Sequence, residues 1–113
     1  MYRFRDNTRG VTWRSKRSFD RNSHKLGPVH RVRGYVFNGR YGPEPAVMIY
    51  GETGTMRLSG LSWGYGGEGP SGLRYVLQKL DVNEGNIRKV LSNQWEISVG
   101  TKWDVYRYSA EAA

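Results

Sequence analysis

The stretch Trp63–Leu80, WGYGGEGPSGLRYVLQKL, joins a glycine-rich segment directly to a helical pattern. Its apolar residues recur at the spacing of one helical face: Leu73, Val76, Leu77 and Leu80. Pro70 suits the first turn of that helix, where the N–H that proline lacks would have no partner. The glycines allow positive φ angles and close backbone packing. The stretch therefore predicts a tight corner that leads into an amphipathic helix.

The first eight residues of this stretch, Trp63–Pro70, have other interpretations. A glycine loop before a helix N-terminus can bind phosphate. The spacing matches neither the P-loop nor the dinucleotide fingerprint, and Glu68 would repel a phosphate. We favour a structural corner, with a protein-contact surface second and an anion site third. The residues concerned are Trp63, Tyr65, Gly66, Gly67, Glu68, Gly69 and Pro70.

Upstream of the corner, three segments have the composition of strands. Tyr35–Phe37, Ala46–Tyr50 and Thr55–Leu58 are rich in aromatic and aliphatic residues, and the turn dipeptide Asn38-Gly39 follows the first of them. Residues 41–45 contain two prolines, which cannot donate to a strand ladder, so we expect a loop there. The simplest arrangement is an antiparallel meander.

Downstream of the corner, a second helix and two further strands are predicted. Asn83 or Asn86 could cap the helix. Trp95–Val99 and Trp103–Tyr106 alternate as strands do, and Ser109–Ala113 is expected to fray. The predicted fold class is α+β, with a small antiparallel β-sheet packed with one or two helices.

The charge is distributed unevenly along the 113 residues, a length that suits one domain. The formal net charge is +8 and the pI is about 10.0. Residues 1–33 contain ten basic and two acidic residues, whereas residues 34–113 contain eight of each. We therefore expect a basic N-terminal arm, 1–33, and a compact α+β domain, 34–113. A block of one sign is typical of polyanion binding.

The arm combines arginine with aromatic residues. Tyr2–Arg5 alternates as a short strand does, and Val11–Arg14 could be its hairpin partner. An arm that becomes ordered only on binding is the alternative. Arginine binds phosphate bidentately, and aromatic rings stack on unpaired bases. The predicted nucleic-acid-binding residues are Arg3, Arg5, Arg9, Arg14, Lys16, Arg17, Arg21, Lys25, Arg31 and Arg33, with Tyr2, Phe4, Trp13 and Phe19 as stacking partners.

Catalytic and metal-binding patterns are absent from the sequence. Without cysteine there is no disulfide, thiolate nucleophile or cysteine-based metal site. His24 and His30 have no nearby carboxylate to orient them. We expect no enzyme activity, no catalytic residue, no metal and no small-molecule cofactor. No apolar run reaches 18 residues and the first residues lack the apolar core of a signal peptide, which predicts a cytoplasmic protein that does not contact membranes.

The segment WGYGGEGPSGLRYVLQKL resembles the signature of a family of small uncharacterised proteins from bacterial genomes, plasmids and phages. That signature is WGYGGxGP followed by an amphipathic helix, and the resemblance covers about residues 33–98. Family members usually carry a small or polar residue where this chain has Glu68, and the basic arm has no counterpart in them. The resemblance implies a compact α+β domain and a phage or mobile-element origin. It implies no activity.

These features together predict a non-enzymatic nucleic-acid-binding or ribonucleoprotein-associated accessory protein. Its partner would be DNA, RNA or a protein complex that contains nucleic acid. One alternative is an inhibitor or adaptor that binds a host protein machine, for example an anti-CRISPR-like inhibitor of an RNA-guided nuclease. Another is a structural protein of the ribosome or the virion.

Overall fold

The computed structural model describes residues 1–6, 10–93 and 99–106. They form a five-stranded sheet and three α-helices. The strands are β1 (Tyr2–Arg5), β2 (Val29–Gly39), β3 (Gly42–Gly51), β4 (Gly54–Leu58) and β5 (Lys102–Tyr106). The helices are α1 (Thr12–Asn22), α2 (Glu68–Lys79) and α3 (Glu84–Ser92), and a short 3-10 turn, Ser23–Leu26, follows α1.

The strand order across the sheet is β1-β4-β3-β2-β5. Strands β2, β3 and β4 form an antiparallel meander, and β5 adds antiparallel to β2. β1 pairs with β4 in parallel. The predicted α+β class, the small sheet and the meander are therefore confirmed.

The helices pack on one face of the sheet. Alternate strand residues such as Val32, Ile49 and Met56 are buried in one cluster with helix residues such as Phe19 and Leu73. Because successive side chains of a strand point to opposite faces, the residues between these lie on the other face of the sheet. All three helices contribute to the same cluster, and so the second face carries no described helix.

A pair of tryptophans joins the edge strand β5 to the corner before α2. Trp103 lies opposite Gly34 in the ladder between β5 and β2. A Cβ built on Gly34 would overlap the indole of Trp103. That indole meets the fully buried ring of Trp63 edge to face, with 5.4 Å between the ring centroids. The absence of a side chain at residue 34 therefore makes room for this pair.

A buried polar cluster holds α1 against the sheet. The hydroxyl of Ser15 donates to the carboxylate of Asp6 (2.5 Å) and accepts from the N–H of Gly60 (2.8 Å). Asp6 follows β1 and also accepts from the N–H of Ser59 (3.0 Å). Asp6 and Ser15 are both buried, so these bonds are shielded from water. They tie the helix to the ends of β1 and β4.

The N-terminal third differs from the prediction. Val11–Arg14 is not a hairpin strand, because α1 begins at Thr12. The helix is favoured by its docking, since Ser15 and Phe19 lie four residues apart on one helical face and are both buried. The structure shows no separate basic arm, because the boundary expected after residue 33 falls inside β2. α1 is also the reason that the sheet packs with three helices rather than one or two.

The expected loop at residues 41–45 is also wrong, because β3 begins at Gly42. Pro45 lies opposite Val36, whose N–H and C=O bond to residues 101 and 100 on the β5 side. Val36 and Pro45 therefore form a non-hydrogen-bonded pair, and Pro43, two residues away, has the same orientation. Both prolines direct their missing N–H toward the side where β4 has already ended, so no ladder bond is lost.

The other described strands and helices agree with the predictions from the sequence. β1 coincides with the predicted strand Tyr2–Arg5, and the predicted strand Trp103–Tyr106 lies within β5. α2 contains Pro70 in its first turn, and Asn83 caps α3 by accepting from the N–H of Asn86 (2.8 Å). Of the predicted strand 95–99, residues 95–98 lie outside the described residues, as do the C-terminal residues 109–113. Residue 99 lies in a turn.

We expect Gly34→Ala to destabilise the fold by about 1–3 kcal/mol, because the new methyl group must displace the buried indole of Trp103. The measurement is urea unfolding followed by circular dichroism. Gly66→Ala is the matched control, since no atom lies within 4 Å of a Cβ built there, and its stability should stay the same or rise slightly. Equal midpoints for Gly34→Ala and the wild type would contradict the packing described for Trp103.

We expect Ser15→Ala to lower the free energy of unfolding by about 1–3 kcal/mol, because the Asp6 carboxylate and the Gly60 N–H each lose a partner in a buried position. The same unfolding assay measures it. Ser18→Ala, on the same helix at a half-buried position, should change stability by less than about 0.5 kcal/mol. Alanine has a higher helix propensity than serine, so a comparable loss in both variants would show that the buried hydrogen bonds of Ser15 are not its cause.

Candidate nucleic-acid interface

The sheet face opposite the helices is called the open face below. Along each strand, charged and aromatic residues of this face alternate with residues that point toward the helices. On β2 the buried Val32, Gly34 and Val36 alternate with residues that are only partly buried. The ladders place the outward residues of neighbouring strands side by side. The charged and aromatic members of the open face are Arg3, Arg5, Arg31, Arg33, Tyr35, Phe37, Glu44, Tyr50, Arg57, Lys102, Asp104 and Tyr106.

Basic residues dominate this face, with six basic and two acidic side chains on the described strands. One acid, Asp104, is already paired: its carboxylate lies 2.7 Å from the Arg31 guanidinium. The Nε–H of Arg31 also donates a hydrogen bond to this carboxylate (2.8 Å). The bond raises the pKa of Arg31 above its ordinary value, although partial burial opposes the shift. The guanidinium of Arg31 also lies 5.0 Å from the ring centroid of Tyr50 and 5.4 Å from that of Tyr106. Arg31 is thus fixed in place by one acid and two rings.

Two other arginines lie over aromatic rings of the same face. The Arg57 guanidinium is 4.6 Å from the ring centroid of Phe37, and that of Arg33 is 5.8 Å from that of Tyr35. The Nε atom of Arg33 is buried and has no hydrogen-bond acceptor among the described residues. A buried donor without an acceptor is costly, so an acceptor brought by a ligand would stabilise it.

A second basic surface lies on the solvent side of α1 and is called the α1 surface. Its members are Trp13, Arg14, Arg17 and Arg21. Trp13 is 57% exposed, and the Arg14 guanidinium lies 5.3 Å from its ring centroid. An open groove of about 510 Å³ runs between this helix and Phe4 of β1. Since β1 is an edge strand and carries Arg3 and Arg5 on the open face, the two basic surfaces adjoin at this edge.

The structure separates the sequence-predicted residues into three groups. Arg3, Arg5, Arg31 and Arg33 lie on the open face, and Trp13, Arg14, Arg17 and Arg21 form the α1 surface. Lys16 and Lys25 lie over the rings of Tyr75 (4.5 Å) and Tyr2 (5.3 Å). Arg9 lies outside the described residues.

The predicted stacking residues are mostly turned away from solvent. Tyr2 and Phe4 lie opposite Gly54 and Met56 on the covered face of the sheet, where both pack against the core. Phe19 is a buried core residue. Of the four aromatic residues, only Trp13 presents a large exposed ring.

Sequence reasoning missed six open-face residues: Tyr35, Phe37, Tyr50, Arg57, Lys102 and Tyr106. The signal was the alternation of Arg31, Arg33, Tyr35 and Phe37 with small or aliphatic residues. A boundary placed between residues 33 and 34 divided that alternation into two halves. The other missed residues come from separate strands, and only the ladder registers bring them to this face.

The corner Trp63–Pro70 has a buried base and an exposed tip. Trp63, Gly69 and Pro70 are buried, whereas Tyr65, Gly66, Gly67 and Glu68 are exposed. Gly67 caps α2 with φ +152°, a conformation that favours glycine. The hydroxyls of Tyr65 and Ser62 are hydrogen-bonded at 2.8 Å. This geometry is that of a packed turn whose tip faces solvent.

No family model, curated protein or solved structure matches this chain, so the resemblance to the WGYGGxGP family stays a prediction. None of the described helices has both the length and the hydropathy needed to cross a membrane. Within residues 1–6, 10–93 and 99–106, no three histidine or acidic side chains lie close enough together to hold a metal ion.

Proposed function

We propose that this protein binds single-stranded nucleic acid on the open face of its sheet, as a non-enzymatic accessory protein. The observation that carries the proposal is the convergence of five arginines, one lysine and four aromatic rings on one sheet face that none of the described helices covers. Guanidinium groups bind phosphate through paired N–H donors and remain charged at cellular pH.

The charges of this face are arranged to accept an anion. Arg5 and Arg57 are direct neighbours in the ladder between β1 and β4, and like charges in such a position repel each other. Arg33 carries a buried Nε without an acceptor among the described residues. A phosphate beside Arg5 and Arg57 would relieve their repulsion, and a second one, beside Arg33 on the far side of Met48, would accept the Nε–H.

The aromatic residues favour unpaired bases over a duplex. Tyr35, Phe37, Tyr50 and Tyr106 are spread over three strands with guanidinium groups lying over them. Bases stack on aromatic rings and on arginine planes only when they are not paired in a helix, and each stack contributes about 1–3 kcal/mol. The broad face of a five-stranded sheet is also too wide to enter a groove of a duplex, which admits an α-helix or a two-stranded ribbon.

The α1 surface extends the same interface around the β1 edge. Arg14, Arg17 and Arg21 are exposed on one side of the helix, next to the exposed ring of Trp13. The acid on this helix, Asp20, accepts a hydrogen bond from Tyr75 (2.8 Å), which raises the pKa of the Tyr75 hydroxyl. The Asp20 carboxylate is therefore hydrogen-bonded to a residue of α2. A nucleic-acid strand that passes from the open face around the β1 edge would next meet the arginines of α1.

The double variant Arg33→Gln/Arg57→Gln should weaken binding to a labelled 12-nucleotide oligouridine at least about tenfold at 50 mM salt, because it removes two phosphate contacts. The slope of log K against log salt should fall by roughly 0.7 for each lost charge. Fluorescence anisotropy at 50, 100 and 200 mM salt measures both quantities.

The matched control is Arg88→Gln/Lys89→Gln, which removes the same charge from exposed positions of α3 on the helical side. Its affinity should stay within about twofold of the wild type, because general attraction between distant charges is largely screened. Equal losses in the two double variants would assign binding to net charge alone. Failure of the wild-type protein to bind single-stranded RNA or DNA at 50 mM salt would refute the proposal.

A second candidate is an inhibitor or adaptor of a host nucleic-acid machine, favoured by the tip of the corner. The ring of Tyr65 is 52% exposed beside the exposed Glu68, and tyrosine is enriched at protein interfaces. If this candidate holds, Tyr65→Ala should abolish co-elution with a purified guide-loaded nuclease and leave oligouridine binding unchanged. Size-exclusion chromatography of the variant mixed with the nuclease measures this co-elution. Co-elution that persists in this variant but is lost in Arg33→Gln/Arg57→Gln would place the contact on the open face instead.

A further inference from the structure

A pocket lies at the end of the open face, where the hairpin between β2 and β3 turns. Its volume is about 480 Å³, and it is lined by Phe37, Arg40, Tyr41, Glu44 and Pro45, among others. This site rests on the function proposed above but has a different composition from the rest of the face. Among the described residues of the open face, it is the place where an acid lies near the exposed ring of Tyr41 and has no basic residue paired to it.

Two aromatic rings line the pocket, those of Phe37 and Tyr41. The ring of Phe37 has the Arg57 guanidinium 4.6 Å from its centroid. Tyr41 lies in the turn and is 87% exposed, with the Arg40 guanidinium 5.7 Å from its centroid. An exposed aromatic ring of this size is costly to keep in water, and a stacked base would cover it.

Glu44 supplies the acidic group of the pocket, which Arg40 also lines. It lies opposite Phe37 in the ladder, and its carboxyl group leans over Gly39, where an added Cβ would overlap it. The Glu44 carboxylate has no ion pair or hydrogen bond among the described residues. A carboxylate repels phosphate, so this end of the face suits a different part of a nucleotide, namely a group that donates hydrogen bonds.

We propose that the pocket binds a guanine base, with Glu44 as the group that selects it. An ionised carboxylate only accepts hydrogen bonds. Guanine offers two adjacent donors on its Watson–Crick edge, the N1–H and the N2 amine, which match the two carboxylate oxygens. Adenine and cytosine place an acceptor nitrogen beside their single amine, and uracil places its one N–H between two carbonyls. Each would set an acceptor against the carboxylate.

The test compares two labelled 12-nucleotide RNAs by fluorescence anisotropy with the full chain. One is all uridine, and the other has a single guanosine at its centre, which prevents guanine quadruplexes. The wild type should bind the guanosine RNA roughly tenfold more tightly, in the range of one bidentate base contact. Glu44→Gln should abolish that preference, while its affinity for oligouridine stays the same or rises slightly, because a negative charge is lost.

Modified bases identify the edge that is read. Inosine, which lacks the N2 amine, should lose most of the preference, whereas 7-deazaguanosine, which keeps both donors, should retain it. Phe37→Leu should weaken the binding of both RNAs, because the stacking ring is lost. Thermal unfolding of each variant checks that the fold is intact.

The outcomes separate this inference from the function on which it rests. Binding of both RNAs with equal affinity would overturn the guanine site and leave nucleic-acid binding in place. A guanosine preference that survives in Glu44→Gln would likewise overturn the role of this carboxylate. Binding of neither RNA at 50 mM salt would refute the proposed function and the guanine site together.

Discussion

The edge-to-face contact between Trp103 and Trp63, made possible by the missing side chain at Gly34, is the constraint on which the rest of the structure depends. It fixes the register of β5 on β2, because the indole fits only where no Cβ opposes it. With Trp103 on the covered face, Asp104 falls on the open face, where it pairs with Arg31. A shift of one residue would exchange the faces and bury the carboxylate in the core. One packing contact on the covered face thus sets the electrostatics of the other.

The basic N-terminal third is ordered by a small number of buried contacts rather than by a hydrophobic stripe. In α1 only Ser15 and Phe19 are buried. The helix depends on the Ser15 hydroxyl, which donates to Asp6 and accepts from the N–H of Gly60. The Thr12 hydroxyl also donates to the carbonyl of Gly60 (2.7 Å), and the arginines of the helix lie on its exposed side. Because the strand and helix that carry them are already folded, binding would not require the ordering of a flexible arm, and that lowers the entropic cost of association.

Sequence reasoning succeeded where a pattern is local. The spacing of Leu73, Val76 and Leu77 predicts α2, and Asn83 predicts the start of α3, because each signal lies within a few residues of the structure that it specifies. The predictions from sequence failed where a residue distant in the sequence determines the local structure. Thr12–Arg14 is helical because Ser15 meets Asp6 and Gly60, and Pro43 and Pro45 fit in β3 because β4 ends before it reaches them. The open face was missed for the same reason, since it is assembled from five strands whose registers no single segment reveals.

The two acids of the open face, Asp104 and Glu44, differ in whether they have a basic partner, and in the proposed function they would therefore have different effects on a bound nucleic acid. Asp104 is neutralised by Arg31, so it orients a guanidinium between two tyrosines and adds little repulsion toward phosphate. Glu44 has no such partner among the described residues and lies at the hairpin end, past the last arginine of β2. A backbone held by the arginines near the middle of the sheet would direct a base toward that end, into the pocket beside Phe37 and Tyr41. If the proposed function holds, phosphate attraction brings any single strand to the face, and the Glu44 carboxylate acts only on the base that reaches it.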